Sequence, residues 1–257
     1  MSTSAHTIDV LGTPVCATTM SAAIQQVAEW TKQKRGTRLV TFTNVHMVVE
    51  SLKNKNFREL LRSTDANFPD GMPMVWLGRR TNALAERVCG PEFLPRFCEA
   101  TADMRFRHFF FGGSEGVAEE VAISLRKRIP SIQIAGIYCP PFRPISPEED
   151  EQIVKTINDS CADIVWVCLG CPKQENWIRS HRDRLNASVL LAVGFAFEVV
   201  AGRARRAPAT FRRGGLEWFY RFCQEPRRLA KRYLMYNGIF LYRLLLSSLQ
   251  RTPSTRD

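Results

Sequence analysis

Across residues 1–202, short apolar runs rich in β-branched side chains alternate with helix-patterned segments, and no other feature restricts the fold of this 257-residue chain so strongly. Strands that are each followed by a helix return to the same end of the sheet, so the alternation predicts parallel βαβ units rather than an all-β or all-α fold. TRLVTFTNV reads as a strand ending in a polar turn, with one or two helices in HMVVESLKNKNFRELLRST behind it. ANFPDGMPMVWLGRRT places a Pro-Asp-Gly turn between a short strand and a helix, and RFRHFFFGGSEGVAEEVAISLRKRIP runs from strand through a glycine-rich loop into a helix that Pro130 stops. QIAGIYCPPF is a further strand. SPEEDEQIVKTINDSC opens with a serine cap and three acids in the first turn, DIVWVCLGCPKQENWIRSHRDRL repeats strand, loop and helix, and SVLLAVGFAFEVVAG closes the series. The predicted fold is α/β, an open, mostly parallel, doubly wound sheet. Ligands of such sheets bind beyond the carboxyl ends of the strands, so the loops just named are where chemistry is sought.

The net charge is concentrated at the other end of the chain. From Arg203 to Asp257 thirteen Lys or Arg face three Asp or Glu, a net of +10, and the total of +11 leaves +1 for residues 1–202. A nearly neutral body (1–202) followed by a cationic, helical appendage (203–257) implies a polyanionic partner, which is nucleic acid, an anionic membrane surface or a phosphorylated substrate; a solvated helix face is the alternative. The apolar residues of the appendage recur in a helical rhythm. GIFLYRLLLSSLQ, from Gly238, is short and interrupted by Arg243, so it is expected to lie on a membrane without crossing it. The first twenty residues lack a basic stretch followed by a continuous apolar one, and the eight cysteines form no disulfide framework; both point to the cytoplasm. The appendage is expected to add little to the core of the body.

Three loops are candidate sites. In GGSEG, Gly112, Gly113 and Ser114 stand between a strand and a helix, where backbone N–H groups and the helix dipole suit a phosphate, although a tight turn explains the glycines equally. The loop fits neither the dinucleotide fingerprint nor the Walker loop, so no nucleotide cofactor is expected. In Pro69-Asp70-Gly71 a carboxylate sits on a constrained turn at a strand end. It is either a plain turn or the support of a general base, Asp70, with Asn44 pointing into the same crevice; His46, at a helix start, reads as structural. In GCPKQE, Lys173, Gln174 and Glu175 open a helix, where lysine meets phosphate as a point charge and glutamine reads hydroxyls, or where the residues only cap the helix. No DxD pair, HExxH or His/Cys cluster occurs beyond the lone Cys168–Cys171 pair, so no metal site is expected, and a departing diphosphate would be stabilised by cationic side chains.

Taken together, PDG, GCPKQENW, VGFAFEVVAGRARRAP and GLEWFYRFCQEPRRLAKRYL resemble the WecG/TagA/CpsF glycosyltransferase family, glycosyltransferase family 26, over about residues 8–247. The resemblance implies a Rossmann-like core with a basic C-terminal appendage. It also implies an inverting, metal-independent transfer of a sugar from a UDP-linked donor to a polyprenyl-diphosphate-linked saccharide, at the cytoplasmic face of a bacterial membrane, for a cell-surface or exocellular polysaccharide. On this likeness Asp70 is the general base, Asn44 and Gln174 line the pocket, and arginines of the tail meet diphosphate, with Arg206, Arg221 and Arg228 as candidates. Where many members show Thr-x-Asn this chain has Phe42 at the threonine, so that contact falls to Thr43 or Thr41; Glu198 stands where members often carry Asp. The competing readings from the residues alone are a nucleic-acid-binding protein that uses the basic tail, although the resemblance implies no nucleic-acid partner, and a nicotinamide oxidoreductase.

Overall fold

The computed structural model describes residues 6–81, 85–205, 207, 208, 211, 219, 220, 222 and 226–250, the last segment by backbone alone at 226–234, 249 and 250. A hairpin of β1 (Thr7–Val10) and β2 (Thr13–Cys16) precedes helix α1 (Met20–Gln33). The parallel series then begins with β3 (Arg38–Thr43), α2 (Val45–Lys53), α3 (Lys55–Ser63), β4 (Ala66–Pro69), α4 (Met72–Arg80) and α5 (Gly90–Ala100). It continues with β5 (Arg107–Gly112), α6 (Val117–Arg128), β6 (Gln133–Tyr138), α7 (Pro147–Asp159), β7 (Ile164–Cys168), α8 (Lys173–His181), β8 (Val189–Ala192) and α9 (Ala196–Val200). Helix α10 (Pro226–Gln250) ends the described chain. The six strands β3–β8 form one all-parallel sheet in the order β4-β3-β8-β7-β5-β6, as the alternation predicts. The hairpin, α1 and α5 were not anticipated from the sequence pattern.

Local chemistry accounts for the helix starts. Thr19, Asn44 and Asn54 each accept a hydrogen bond from the backbone N–H three residues on, and Ser146 with Glu149 forms a reciprocal capping box. Alternation along the strands then loads both faces of the sheet. Val40, Phe42, Phe68, Phe110, Trp166 and Leu191 face one core with α1, α5, α6 and α9; Leu39, Phe109, Phe111, Val165, Val167 and Leu190 face the other with α7 and α8. A sheet buried on both faces is what near-continuous apolar strands require. Phe42 packs against Phe68 and Phe93, with ring centroids 5.8 and 5.3 Å away, so its side chain belongs to the core and not to the crevice.

One core contact titrates. Trp166 Nε1–H donates to Nδ1 of buried His108 at 3.1 Å, and burial lowers the His108 pKa to about 4. The imidazole is neutral in the folded protein, whereas the unfolded chain protonates it near its ordinary 6.5. The unfolded state therefore binds more protons between these values, and stability present above pH 6.5 is lost as pH falls through about 4. Denaturant midpoints measured from pH 7 to pH 4 should fall more steeply than in His108→Asn, which keeps an acceptor for Trp166 without the titration. Equal slopes would remove His108 as the cause.

The appendage does not stand apart from the body. Phe240, 3 % exposed, joins Ile8, Val10, Val15, Val48, Val49 and Met74 in a cluster that also receives Tyr236, Ile239 and Leu244. Tyr236 donates its hydroxyl to Glu50 at 3.0 Å, and its ring lies 4.6 Å from that of His46 with Lys53 Nζ 4.2 Å away. The expectation of a tail that adds little to the core is corrected: an amphipathic helix buries its apolar face wherever a partner face is open, and α2 with the hairpin supplies one.

Candidate active site

The candidate loops all fall at the carboxyl edge of the sheet, because each lies at the end of a parallel strand. From one side to the other these are Asp70 after β4, Thr43 and Asn44 at β3, Gly194 after β8, Cys168–Glu175 after β7 and Gly112–Ser114 at β5. The chain passes from β3 to β4 on one side of the strand order and from β5 to β6 on the other, and ligands of open α/β sheets bind where such connections diverge.

Asp70 is held by its backbone, whose N–H donates to Thr43 O at 2.9 Å, and by Gly71, whose φ of 121° suits glycine alone. Its carboxylate is 24 % exposed and lies 3.7 Å from the guanidinium of Arg87, itself 19 % exposed. Arg87 arrives there because Val88 N–H donates to Pro69 O at 2.9 Å, which ties the segment before α5 alongside β4. A half-open carboxylate oriented by a cation at a strand end has the position a general base needs. Sequence reasoning missed Arg87, since seventeen residues separate it from Asp70 and only sheet geometry joins them. Asn44 is half-buried, with Oδ1 accepting from Met47 N–H at 3.2 Å as the cap of α2, so its amide nitrogen is the end left for a ligand. Thr43 is fully buried, and its hydroxyl lies 3.2 Å from that of Thr41 and 3.5 Å from Asn67 Oδ1. Thr41 donates to the same Asn67 oxygen at 2.6 Å.

The glycine loop is tied to the neighbouring strand. Gly113 N–H donates to Cys168 O at 2.7 Å, and a Cβ on Gly112 would stand 2.3 Å from that same oxygen, so the glycines allow a close approach of the ends of the paired strands β5 and β7. Ser114 donates its hydroxyl to Glu198 at 3.1 Å. Arg203 grips Glu120 with two bonds, at 2.6 and 2.9 Å, holding that carboxyl below the usual range, and also reaches Ser114 and the Glu115 carbonyl. The loop is flanked by the Arg203–Glu120 ion pair on one side and the Ser114–Glu198 hydrogen bond on the other. The chain's Glu at this position thus has a partner. In the third loop Lys173 is exposed, whereas Gln174 is 6 % exposed and Glu175 fully buried. Burial, with the Glu198 charge nearby, pushes the Cys168 thiol up to about 12, which keeps it protonated.

Arg206 and Arg221 lie outside the described residues, and Arg228 is described by its backbone alone, on α10. Among the described residues no group of three or more His, Cys, Asp or Glu is arranged to hold a metal ion, and no helix is long and apolar enough to cross a membrane.

The sequence was compared with known proteins. Residues 8–254 match the model of the glycosyl transferase WecG/TagA/CpsF family. The chain is 28 % identical over 239 residues to an N-acetylglucosaminyldiphosphoundecaprenol N-acetyl-beta-D-mannosaminyltransferase of Staphylococcus aureus strain MW2, covering 92 % of this chain and 91 % of that protein. The protein of the same description from strain NCTC 8325 gives the same identity and coverage. A family match that runs through the parallel sheet, all three edge loops and α10 leaves one assignment: the chain belongs to the glycosyl transferase WecG/TagA/CpsF family and is a glycosyltransferase.

Proposed function

We propose that this glycosyltransferase moves a sugar from a UDP-sugar to a hydroxyl of a saccharide carried on a polyprenyl diphosphate, with inversion, without a metal, and with Asp70 as base. The observation that carries the reading is the half-open Asp70 carboxylate at the carboxyl edge, steadied by Arg87. In the reaction the acceptor oxygen attacks the anomeric carbon from the face opposite the nucleotide, its proton passes to the Asp70 carboxylate, and the bond to the diphosphate breaks. Asn44, Lys173 and the remaining amide hydrogen of Gln174 are positioned for substrate groups, and Ser114 with Glu198 for sugar hydroxyls. UDP leaves with growing negative charge, which Arg206, Arg221 and Arg228 of the basic segment offset. The acceptor class rests on the names of the Staphylococcus aureus relatives, and an N-acetylmannosaminyl group is therefore the first donor sugar to try.

Residues 1–202 form the catalytic body in this reading, and residues 203–257 rest on the inner face of the cell membrane. Supporting this, α10 docks by Tyr236, Ile239, Phe240 and Leu244 yet leaves Met235, Leu241, Tyr242 and Leu245 exposed beside Arg243. An apolar stripe flanked by cations suits the interface of an anionic bilayer.

The test is incubation with a panel of radiolabelled UDP-sugars and polyprenyl-diphosphate saccharides in anionic vesicles, with excess EDTA, scoring labelled lipid and co-sedimented protein. The expected result is lipid product with EDTA present and vesicle binding that weakens with salt. Product that requires added Mg²⁺ or Mn²⁺ would overturn the metal-free scheme, and absence of product with every pair would overturn the reading itself.

A further inference from the structure

Glu175 is in an unusual place for a first-turn helix glutamate. Such residues normally face water, where they complement the helix dipole, but this one, on a helix packed against β7, β8, β3 and α3, has no exposed surface. Its Oε1 accepts from Gln174 Nε2–H at 2.8 Å, while Oε2 has no hydrogen-bond partner. Gln174 is held on its other side too: Oε1 accepts from Gly170 N–H at 3.2 Å, and the carboxamide lies over Gly194, where a Cβ would come within 3.1 Å of that oxygen. These contacts dictate one orientation of the amide. A flipped carboxamide would set oxygen against the Glu175 carboxyl and nitrogen against the Gly170 N–H, two repulsive pairs in place of two bonds.

We infer that Glu175 is a positioning residue, which locks the Gln174 carboxamide so that its second N–H and second lone pair meet the substrate in one fixed polarity. The inference rests on the proposed role of Gln174 at the transferase site. It explains why a carboxyl is kept where burial costs most: an apolar side chain would fill the space but leave Nε2 unbonded and the amide free to turn. The site is also sensitive to pH. The titratable Cys171 thiol near Glu175 partly opposes the effect of burial on its carboxyl. Burial raises the carboxyl to about 7 from its usual 4.5. Below that value the carboxyl is protonated; above it, the carboxylate binds Gln174 by a stronger, charge-assisted bond.

Two readouts test this. In NMR spectra of the full chain, the side-chain amide signal of Gln174, assigned with Gln174→Ala, should shift with a midpoint near pH 7 in the wild type and not in Glu175→Gln. In kinetics, Glu175→Leu should lower kcat/KM by about tenfold, the scale of one lost hydrogen bond. Glu175→Gln, which keeps an acceptor oxygen, should recover part of that loss and lose the inflection near pH 7. A Gln174 amide that does not respond between pH 6 and 8, or a Glu175→Leu enzyme with wild-type kcat/KM and pH profile, would overturn the inference. Should Glu175→Leu fail to fold, the amide titration in wild type and Glu175→Gln decides alone. The spectra need no turnover, so they also decide the matter if the transferase reading fails.

Discussion

Asp70→Asn should lower kcat by about 10² to 10⁴, the usual range for removing a general base, while the protein remains folded. The side chains are nearly isosteric, and the backbone bond from Asp70 N–H to Thr43 O and the Gly71 turn are unaffected by the change. What disappears is the ability to take the acceptor's proton as the new glycosidic bond forms. The ion pair to Arg87 is lost as well, but at 3.7 Å and partial exposure it is a small part of stability, about 1 kcal/mol or less. Initial rates at saturating donor, alongside circular dichroism and thermal melts, separate the two effects. A variant with near-normal turnover would reduce Pro69-Asp70-Gly71 to a turn and require another base, whereas a variant that no longer melts cooperatively would make the residue structural. The magnitude also bears on Arg87. If orienting the carboxylate is its role, Arg87→Gln should lower kcat less than Asp70→Asn does, because an oriented base is better than a mobile one but a mobile one still accepts a proton.

Gly112→Ala should destabilise the fold by about 3–5 kcal/mol, a large fraction of the 5–15 kcal/mol typical of a domain. Two costs combine. Gly112 has φ of 96°, outside the conformations an L-alanine adopts readily, and the added methyl would stand 2.3 Å from Cys168 O, a backbone atom that cannot swing away. Relief requires β5 and β7 to separate, which breaks the Gly113 N–H to Cys168 O bond and disturbs the loop that carries Ser114. Gly36→Ala is the control, since its φ is also positive, 70°, but nothing lies within 4 Å of the new atom; it should cost only about 1 kcal/mol. Urea denaturation of the two variants measures the difference. Equal costs would show that backbone conformation, not the close approach of β7, governs Gly112.

The readable part of this protein is the part whose cause is local. Strand and helix patterning repeats within a single element, and turn chemistry acts over three or four residues. The parallel sheet, the Ser146 cap, the stop before Pro130 and the placing of PDG, GGSEG and GCPKQE at strand ends could therefore all be read in order along the chain. The hairpin, α1 and α5 escaped because they lie outside the clear strand and helix alternation. Residue roles within the loops were less legible. PDG announces a turn, but whether its carboxylate has a neighbour depends on Arg87, brought in by a bond between Val88 and Pro69. GGSEG has the composition of a phosphate loop, yet Glu198 and Glu120 flank it and Cys168 engages its first free N–H. A glutamate in the first turn of α8 has every local reason to face water and is instead enclosed, and an appendage rich in cations turns its apolar face into the body through Phe240. The sequence by itself determined the class of fold, the sheet edge that carries the candidate loops and the family. The tertiary structure alone decided which edge residues remain open, which are engaged by one another, and where the last helix rests. Those outcomes depend on strand order and on contacts between residues tens to hundreds of positions apart, and neither leaves a periodic trace in the chain.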